Sequence, residues 1–192
     1  MKKDIILAGV GGQGILSIAT IIGEAALHQG LKIKQAEVHG MSQRGGDVQS
    51  NLRISSDPIL SDLIPLKGAD IIISLEPMEA LRYVPYLAPD GWIVTNSVPF
   101  VNIPNYPELD NVMAELSKVK NLVMLDVDTI AKDCGNARAA NMVLLGAASP
   151  FLGMDAKNIE DGIERIFGRK GADVVELNIK ALRAGRAVAE NK

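Results

Sequence analysis

Cysteine is nearly missing from this chain: Cys134 is the only one in 192 residues. A disulfide framework takes pairs and an iron–sulfur cluster takes about four thiolates, so this chain alone is expected to hold neither. Histidine is as scarce, and His28 and His39 leave too few ligands for a zinc site. Aromatic residues are 4% of the sequence, which argues against a base-stacking surface. A basic excess is also lacking. Lys plus Arg number 20 against 23 Asp plus Glu, a net charge of −3, so nothing advertises nucleic acid or an anionic membrane. Long apolar runs are absent. The longest apolar runs, such as Ile15 to Ile22, fall well short of the ~20 residues of a membrane span. Met1-Lys2-Lys3 before Ile5-Ile6-Leu7-Ala8 outlines a signal peptide, but Asp4 and the glycines of 9–14 interrupt it. A cytoplasmic location is expected.

What is present is 47% hydrophobic and 22% charged residues, enough for a sizeable core. At ~150 residues per domain, one domain over 1–192 is expected. Asp4 to Ala8 reads as a buried strand that runs into glycines. Gln13 to His28 carries Ile15, Ala19, Ile22 and Ala26 at helical steps, with Gly30 just beyond. Leu31 to Glu37 alternates and reads as a second strand. Strand, glycine loop, helix, strand opens a Rossmann-like α/β sheet.

Val48 to Ile54 departs from that plan. It follows the second strand too closely for a parallel crossover, which takes about a dozen residues or more. This strand is expected to run antiparallel in an otherwise mostly parallel sheet. Strands at Ala69 to Leu75, Trp92 to Thr95 and Leu122 to Val127 follow, with helices at Pro77 to Leu87 and Leu109 to Val119. Asn102 to Pro107 reads as loop. The C-terminal part reads as helices at Asn136 to Ala148, Asn158 to Phe167 and Ala172 to Ala189.

Gly9-Val10-Gly11-Gly12-Gln13-Gly14 matches G-x-G-x-x-G between a strand and a helix. Such a loop lets the backbone approach a phosphate, and the helix start offers free N–H groups. A tight turn without ligand is the plain alternative. Glu37 falls about 20 residues beyond Gly14, where nicotinamide enzymes place a ribose-binding acid; it reads equally as a solvated carboxylate. The block His39-Gly40-Met41-Ser42-Gln43-Arg44-Gly45-Gly46 is polar, glycine-rich and holds one permanent cation. Arg44 suits a phosphate or carboxylate and His39 a proton or hydrogen bond near neutral pH, against the alternative of a self-satisfied surface loop. Glu76, Asn96, Ser97, Asp126 and Asp128 fall at strand ends, where open α/β sheets gather ligands. Asp128 before Thr129 also suits a helix cap. No nucleophile elbow and no Walker A lysine is present. Cys134 reads as a small buried hydrophobe.

These blocks, with Glu76-Pro77-Met78-Glu79-Ala80-Leu81-Arg82-Tyr83 and Gly135-Asn136-Ala137-Arg138-Ala139-Ala140-Asn141-Met142, resemble the gamma-type domain of 2-oxoacid:ferredoxin oxidoreductases. Within that family the indolepyruvate branch is most similar. The blocks occur in the family's order and cover most of the chain. The resemblance implies a small subunit without catalytic residues of its own. A larger alpha subunit would carry thiamine diphosphate and iron–sulfur clusters. The reaction would be oxidative decarboxylation of an aryl pyruvate to its acyl-coenzyme A, with electrons passing to ferredoxin. Cofactor- or coenzyme A-binding residues are then expected among Gly9, Gly11, Gly12, Gln13, Gly14, His39, Ser42, Gln43, Arg44, Gly45, Gly46 and Glu76. The same loops read alternatively as a subunit interface, through which the isolated chain could also form a homodimer. Two other readings stay open: a family member acting on pyruvate, 2-oxoglutarate or branched 2-oxoacids, and a stand-alone dinucleotide-binding protein.

Overall fold

The computed structural model describes residues 1–40 and 45–191. Strands β1 (Lys2–Val10), β2 (Lys32–His39), β3 (Asp47–Ser55), β4 (Ala69–Ser74), β5 (Leu87–Asn96) and β6 (Leu122–Leu125) form one sheet in the order β2-β3-β1-β4-β5-β6. β3 runs antiparallel to both β2 and β1, while β1, β4, β5 and β6 pair in parallel. The expected antiparallel strand is therefore present, and it lies between the first two. Too few residues separate β2 from β3 for a parallel crossover, and β3 takes the slot beside β1 that such a crossover would have given to β2.

Side chains alternate across the sheet. Ile5 and Leu7 of β1 pack on one face with Ile18 and Ile22 of α1 (Ile15–His28). The same face carries α5 (Ala140–Ala148), α6 (Ala156–Phe167) and α7 (Ala172–Glu190) through Leu145, Ile159 and Leu182. Ile6 and Ala8 face the other side, against Ala80 of α2 (Pro77–Arg82) and Val112 and Leu116 of α3 (Leu109–Leu116). Because β1 and β4 are covered on both sides, they read as unbroken apolar runs rather than alternating ones. Helices α5 and α7 meet backbone to backbone at Gly146 and Gly185, where an added Cβ would lie 1.9 Å from the Leu182 carbonyl and 1.8 Å from that of Val143.

Several boundaries differ from the sequence reading. The helix expected to Leu87 ends at Arg82, followed by one 3-10 turn at Val84–Tyr86 and the start of β5. Pro85 explains this, since it lacks the N–H that would bond the Leu81 carbonyl if the α-helix continued. β5 is longer than expected and absorbs Pro89 through a register irregularity near Ala69 and Ile71. The last strand stops at Leu125, and Val127 opens α4 (Val127–Asp133), which sequence periodicity did not give. Its cap is Asp126, not Asp128: Asp126 Oδ1 accepts the Thr129 amide at 2.9 Å and Oδ2 accepts the Thr129 hydroxyl at 2.7 Å. Those two bonds hold the Asp126 carboxyl below its ordinary pKa. Among the described residues no helix is long and apolar enough to cross a membrane.

Candidate functional site

The chain leaves β1 for α1 on one face and leaves β4 for α2 on the other. This reversal between adjacent parallel strands makes a crevice at their carboxyl ends. Gln13 closes part of it. Its Oε1 accepts the Val10 amide at 2.7 Å and its Nε2 donates to the Leu75 carbonyl at 3.2 Å, so one side chain joins the ends of β1 and β4. Gly9 makes this possible, because a Cβ there would lie 2.9 Å from Gln13 Oε1. Gly14, at φ +87°, admits Asn141 from the start of α5, whose Nδ2 donates to the Gly14 carbonyl at 3.3 Å. Gly12 has open space where a Cβ would stand and forms the bare crest of the loop.

The second glycine block is joined to the first by backbone. The Gly11 amide donates to the Gly46 carbonyl at 2.8 Å, and the Gly45 amide donates to the Gly11 carbonyl at 3.3 Å. Asn102 Nδ2 donates to the Gly45 carbonyl. Ser42, Gln43 and Arg44 lie outside the described residues. His39 is exposed, with Nδ1 3.2 Å from the Gly40 carbonyl and Nε2 3.9 Å from Glu37 Oε1. Glu37, His39, Val48 and Leu16 line a cavity of about 280 Å³ that reaches Gly11 and Gly12. β3 stands between β1 and β2. Glu37 is therefore about 4.8 Å, one strand spacing, farther from the glycine loop than the ribose-binding acid of a dinucleotide fold.

Glu76 turns inward and is 1% exposed. Its Oε2 caps α2 by accepting the Glu79 amide at 2.8 Å. Its Oε1 accepts the Phe100 amide at 3.4 Å and the Tyr106 hydroxyl. Burial, then the bond to Glu76, raises the Tyr106 pKa, so this phenol stays protonated and donating. Glu79, also buried, is forked by Arg82 at 2.7 and 3.1 Å.

On the other side of Gly12 and Gln13 lies a cavity of about 400 Å³ lined by Asn96, Asp128, Arg138 and Asn141. Asn96 Oδ1 accepts the Val98 and Val127 amides at 3.2 and 3.3 Å, and Nδ2 donates to Asp128 Oδ2 at 3.3 Å. Arg138 is exposed and forms no ion pair among the described residues.

The fold thus brings Gly9, Gly11, Gly12, Gln13 and Gly14 together with Gly45 and Gly46, sets Glu37 and His39 to one side and turns Glu76 beneath. Sequence reasoning gave no role to Asn102, Tyr106, Arg138 or Asn141. The one signal for the first two was their place in a long segment without regular structure between β5 and α3, which in compact domains is often functional. That segment also exposes Val98, Phe100, Val101 and Ile103.

Comparison with known proteins places this arrangement. Residues 4–188 match the model of the pyruvate ferredoxin/flavodoxin oxidoreductase family, and the chain belongs to that family. The indolepyruvate oxidoreductase subunit IorB of Archaeoglobus fulgidus is 37% identical, over 96% of this chain and 94% of its own length. The gamma subunit of a keto/oxoacid ferredoxin oxidoreductase from Geobacter sulfurreducens has the same fold. It is 25% identical with a TM-score of 0.69 and covers 99% of both chains. The 2-oxoglutarate:ferredoxin oxidoreductase of Magnetococcus marinus, solved with 2-oxoglutarate, coenzyme A and succinyl-CoA bound, matches all of this chain at 22% identity and a TM-score of 0.77. This chain spans 31% of that one.

Proposed function

We propose that this chain is the small subunit of a 2-oxoacid:ferredoxin oxidoreductase that converts indolepyruvate or a related aryl pyruvate to its acyl-coenzyme A. The reading rests on its similarity to the indolepyruvate subunit of Archaeoglobus fulgidus and on one observation. Two glycine loops, read from sequence as separate motifs, meet through the Gly11–Gly45 and Gly11–Gly46 bonds at the carboxyl edge of the sheet. Free space above Gly12 and a cavity on each side let a phosphate-bearing chain lie across that edge. Arg44, the one permanent cation of the second glycine block, is the residue assigned to the phosphate. Gly9, Gln13 and Glu76 shape the loops from within. His39, Ser42 and Gln43 offer further donors.

The redox chemistry belongs to thiamine diphosphate and iron–sulfur clusters on a larger subunit. The residues of this chain do not fit such a cluster, because Cys134 is alone and buried at the end of α4. The exposed Val98, Phe100, Val101 and Ile103 flank the glycine loops and suit contact with that partner.

The test is an anaerobic pull-down of the tagged chain from its native cells, followed by assay of viologen reduction. Indolepyruvate- and coenzyme A-dependent reduction by a brown eluate containing a larger chain is the expected result. Activity only on another 2-oxoacid would replace the substrate and keep the family role. A colourless, partnerless protein that binds NAD would overturn the reading. Arg44→Ala in the intact complex is expected to raise the KM for coenzyme A. Loss of the complex, with KM unchanged in what remains, would make these loops an interface instead.

A further inference from the structure

The segment 97–106 is the longest stretch without regular structure beside the crevice. Its start is tied to β5 and β6 through the Val98 and Ser97 amides, and beyond residue 98 its hydrogen bonds to other parts of the fold run to Glu76 and Gly45. Asn102 holds the Gly45 carbonyl. Tyr106 and the Phe100 amide hold Glu76, which is itself fixed as the cap of α2. Gly45 in turn is bonded to Gly11 of the first loop. Gly45, at φ +79°, has no side chain to fix it, and an added Cβ there would meet nothing within 4 Å. Glu76 is also unsuited to touching a ligand, because it is 1% exposed and both its oxygens accept from the chain itself.

We propose that Glu76 and Tyr106 are positioning residues: by anchoring the 97–106 segment, they hold Asn102 against Gly45 and so keep the second glycine loop docked on the first. Glu76 thereby passes from the expected ligand contacts to the support beneath them. The chain of contacts runs from a buried carboxylate, through one phenol and one carboxamide, to two backbone amides at the crevice. Each link is only one or two hydrogen bonds, so removing one loosens those beyond it. The kinetic consequence rests on the coenzyme A reading above, whereas the structural consequence does not.

Both are measurable with Tyr106→Phe and Asn102→Ala. Amide hydrogen exchange of the full chain reports directly on the docking, because the Gly11 and Gly45 amides are the donors that join the loops. Both variants are expected to speed exchange at these two amides roughly tenfold, with the core amides of Ile6 and Ile72 unchanged. The double variant is expected to add little to either single one. In the reconstituted complex the KM for coenzyme A should rise roughly threefold to tenfold, with a smaller change in kcat.

Faster exchange confined to 98–106, with Gly11 and Gly45 unchanged, would overturn the proposal. So would equal acceleration in the core, which marks general destabilisation. Faster exchange at Gly11 and Gly45 with the KM for coenzyme A unmoved would uphold the positioning role and reject coenzyme A as what the loops bind.

Discussion

Both ends of the sheet use a buried carboxylate to pin a long connection, and they do so differently. At the amino edge Asp4, 2% exposed, is forked by Arg53 at 2.7 and 3.0 Å. The remaining Arg53 nitrogen holds the Ser61 and Leu63 carbonyls at 3.1 and 3.0 Å, which fastens the connection from β3 to β4. At the carboxyl edge Glu76 fastens the connection from β5 to α3, with neutral donors only: two amides and a phenol. Arg82, the nearby cation, forks onto Glu79 instead. A bidentate ion pair closes the first edge as a lock. Neutral donors leave the second edge with a charge held by geometry, and that edge is where the glycine loops lie. The ion-paired anchor of a long connection lies away from the site, and the anchor on the site side uses neutral donors.

Breaking the lock should produce the largest effect. Arg53→Met leaves buried Asp4 with only the exposed Lys2 ammonium, at 3.1 Å, and is expected to cost about 3 kcal/mol in urea unfolding. Asp4→Asn with Arg53→Met should recover part of that loss, because no charge is then stranded. A cost within the ~0.5 kcal/mol of an ordinary surface change would erase the contrast.

Glu76→Ala should come next, at about 2 kcal/mol, since it removes the α2 cap and the anchor of 97–106 together. Glu76→Gln, which keeps one acceptor, should cost about half as much by the same measurement. Equal losses would show that the carboxylate's charge matters more than its geometry.

The Tyr106 pKa is raised in the folded chain. The native state therefore keeps a proton that the unfolded chain releases above the ordinary tyrosine value of about 10. The stability this bond contributes is present below that pH and is lost as pH rises towards the folded value. Tyr83, pushed up to about 12 mainly by burial, acts in the same direction. Urea midpoints followed from pH 8 to 11 should fall above about pH 10 in the parent chain and fall less steeply in Tyr106→Phe. Identical slopes would separate Tyr106 from the anchor.

Arg138→Ala should change stability least, by less than about 0.5 kcal/mol, because this exposed guanidinium pairs with no described residue. A larger loss would make the carboxyl edge as internally locked as the amino edge.

Much of the fold was legible along the chain. Apolar runs gave the buried strands, the spacing of Ile15, Ala19, Ile22 and Ala26 gave α1, and the short stretch after β2 gave the antiparallel direction of β3. Local chemistry misled where one residue overruled a pattern. Pro85 cut a helix whose apolar spacing continued past it, and Asp126 began a helix inside a run that read as strand. Of the site, the glycine loops were legible because left-handed turns and close backbone approach need glycine.

The role of Glu76 was not legible, since a carboxylate after a strand looks the same whether it faces a ligand or the interior. Two of its three donors, the Phe100 amide and the Tyr106 hydroxyl, come from far along the chain. Sequence by itself determined the strand–glycine loop–helix opening, the lack of a cluster-binding cysteine set and the motif blocks that carry the family. Only the tertiary structure decided that β3 separates Glu37 from the glycine loop, that Gln13 ties β1 to β4, and that Gly11 meets Gly45 and Gly46. Those are contacts between distant residues. They depend on strand order and register, which local periodicity does not encode.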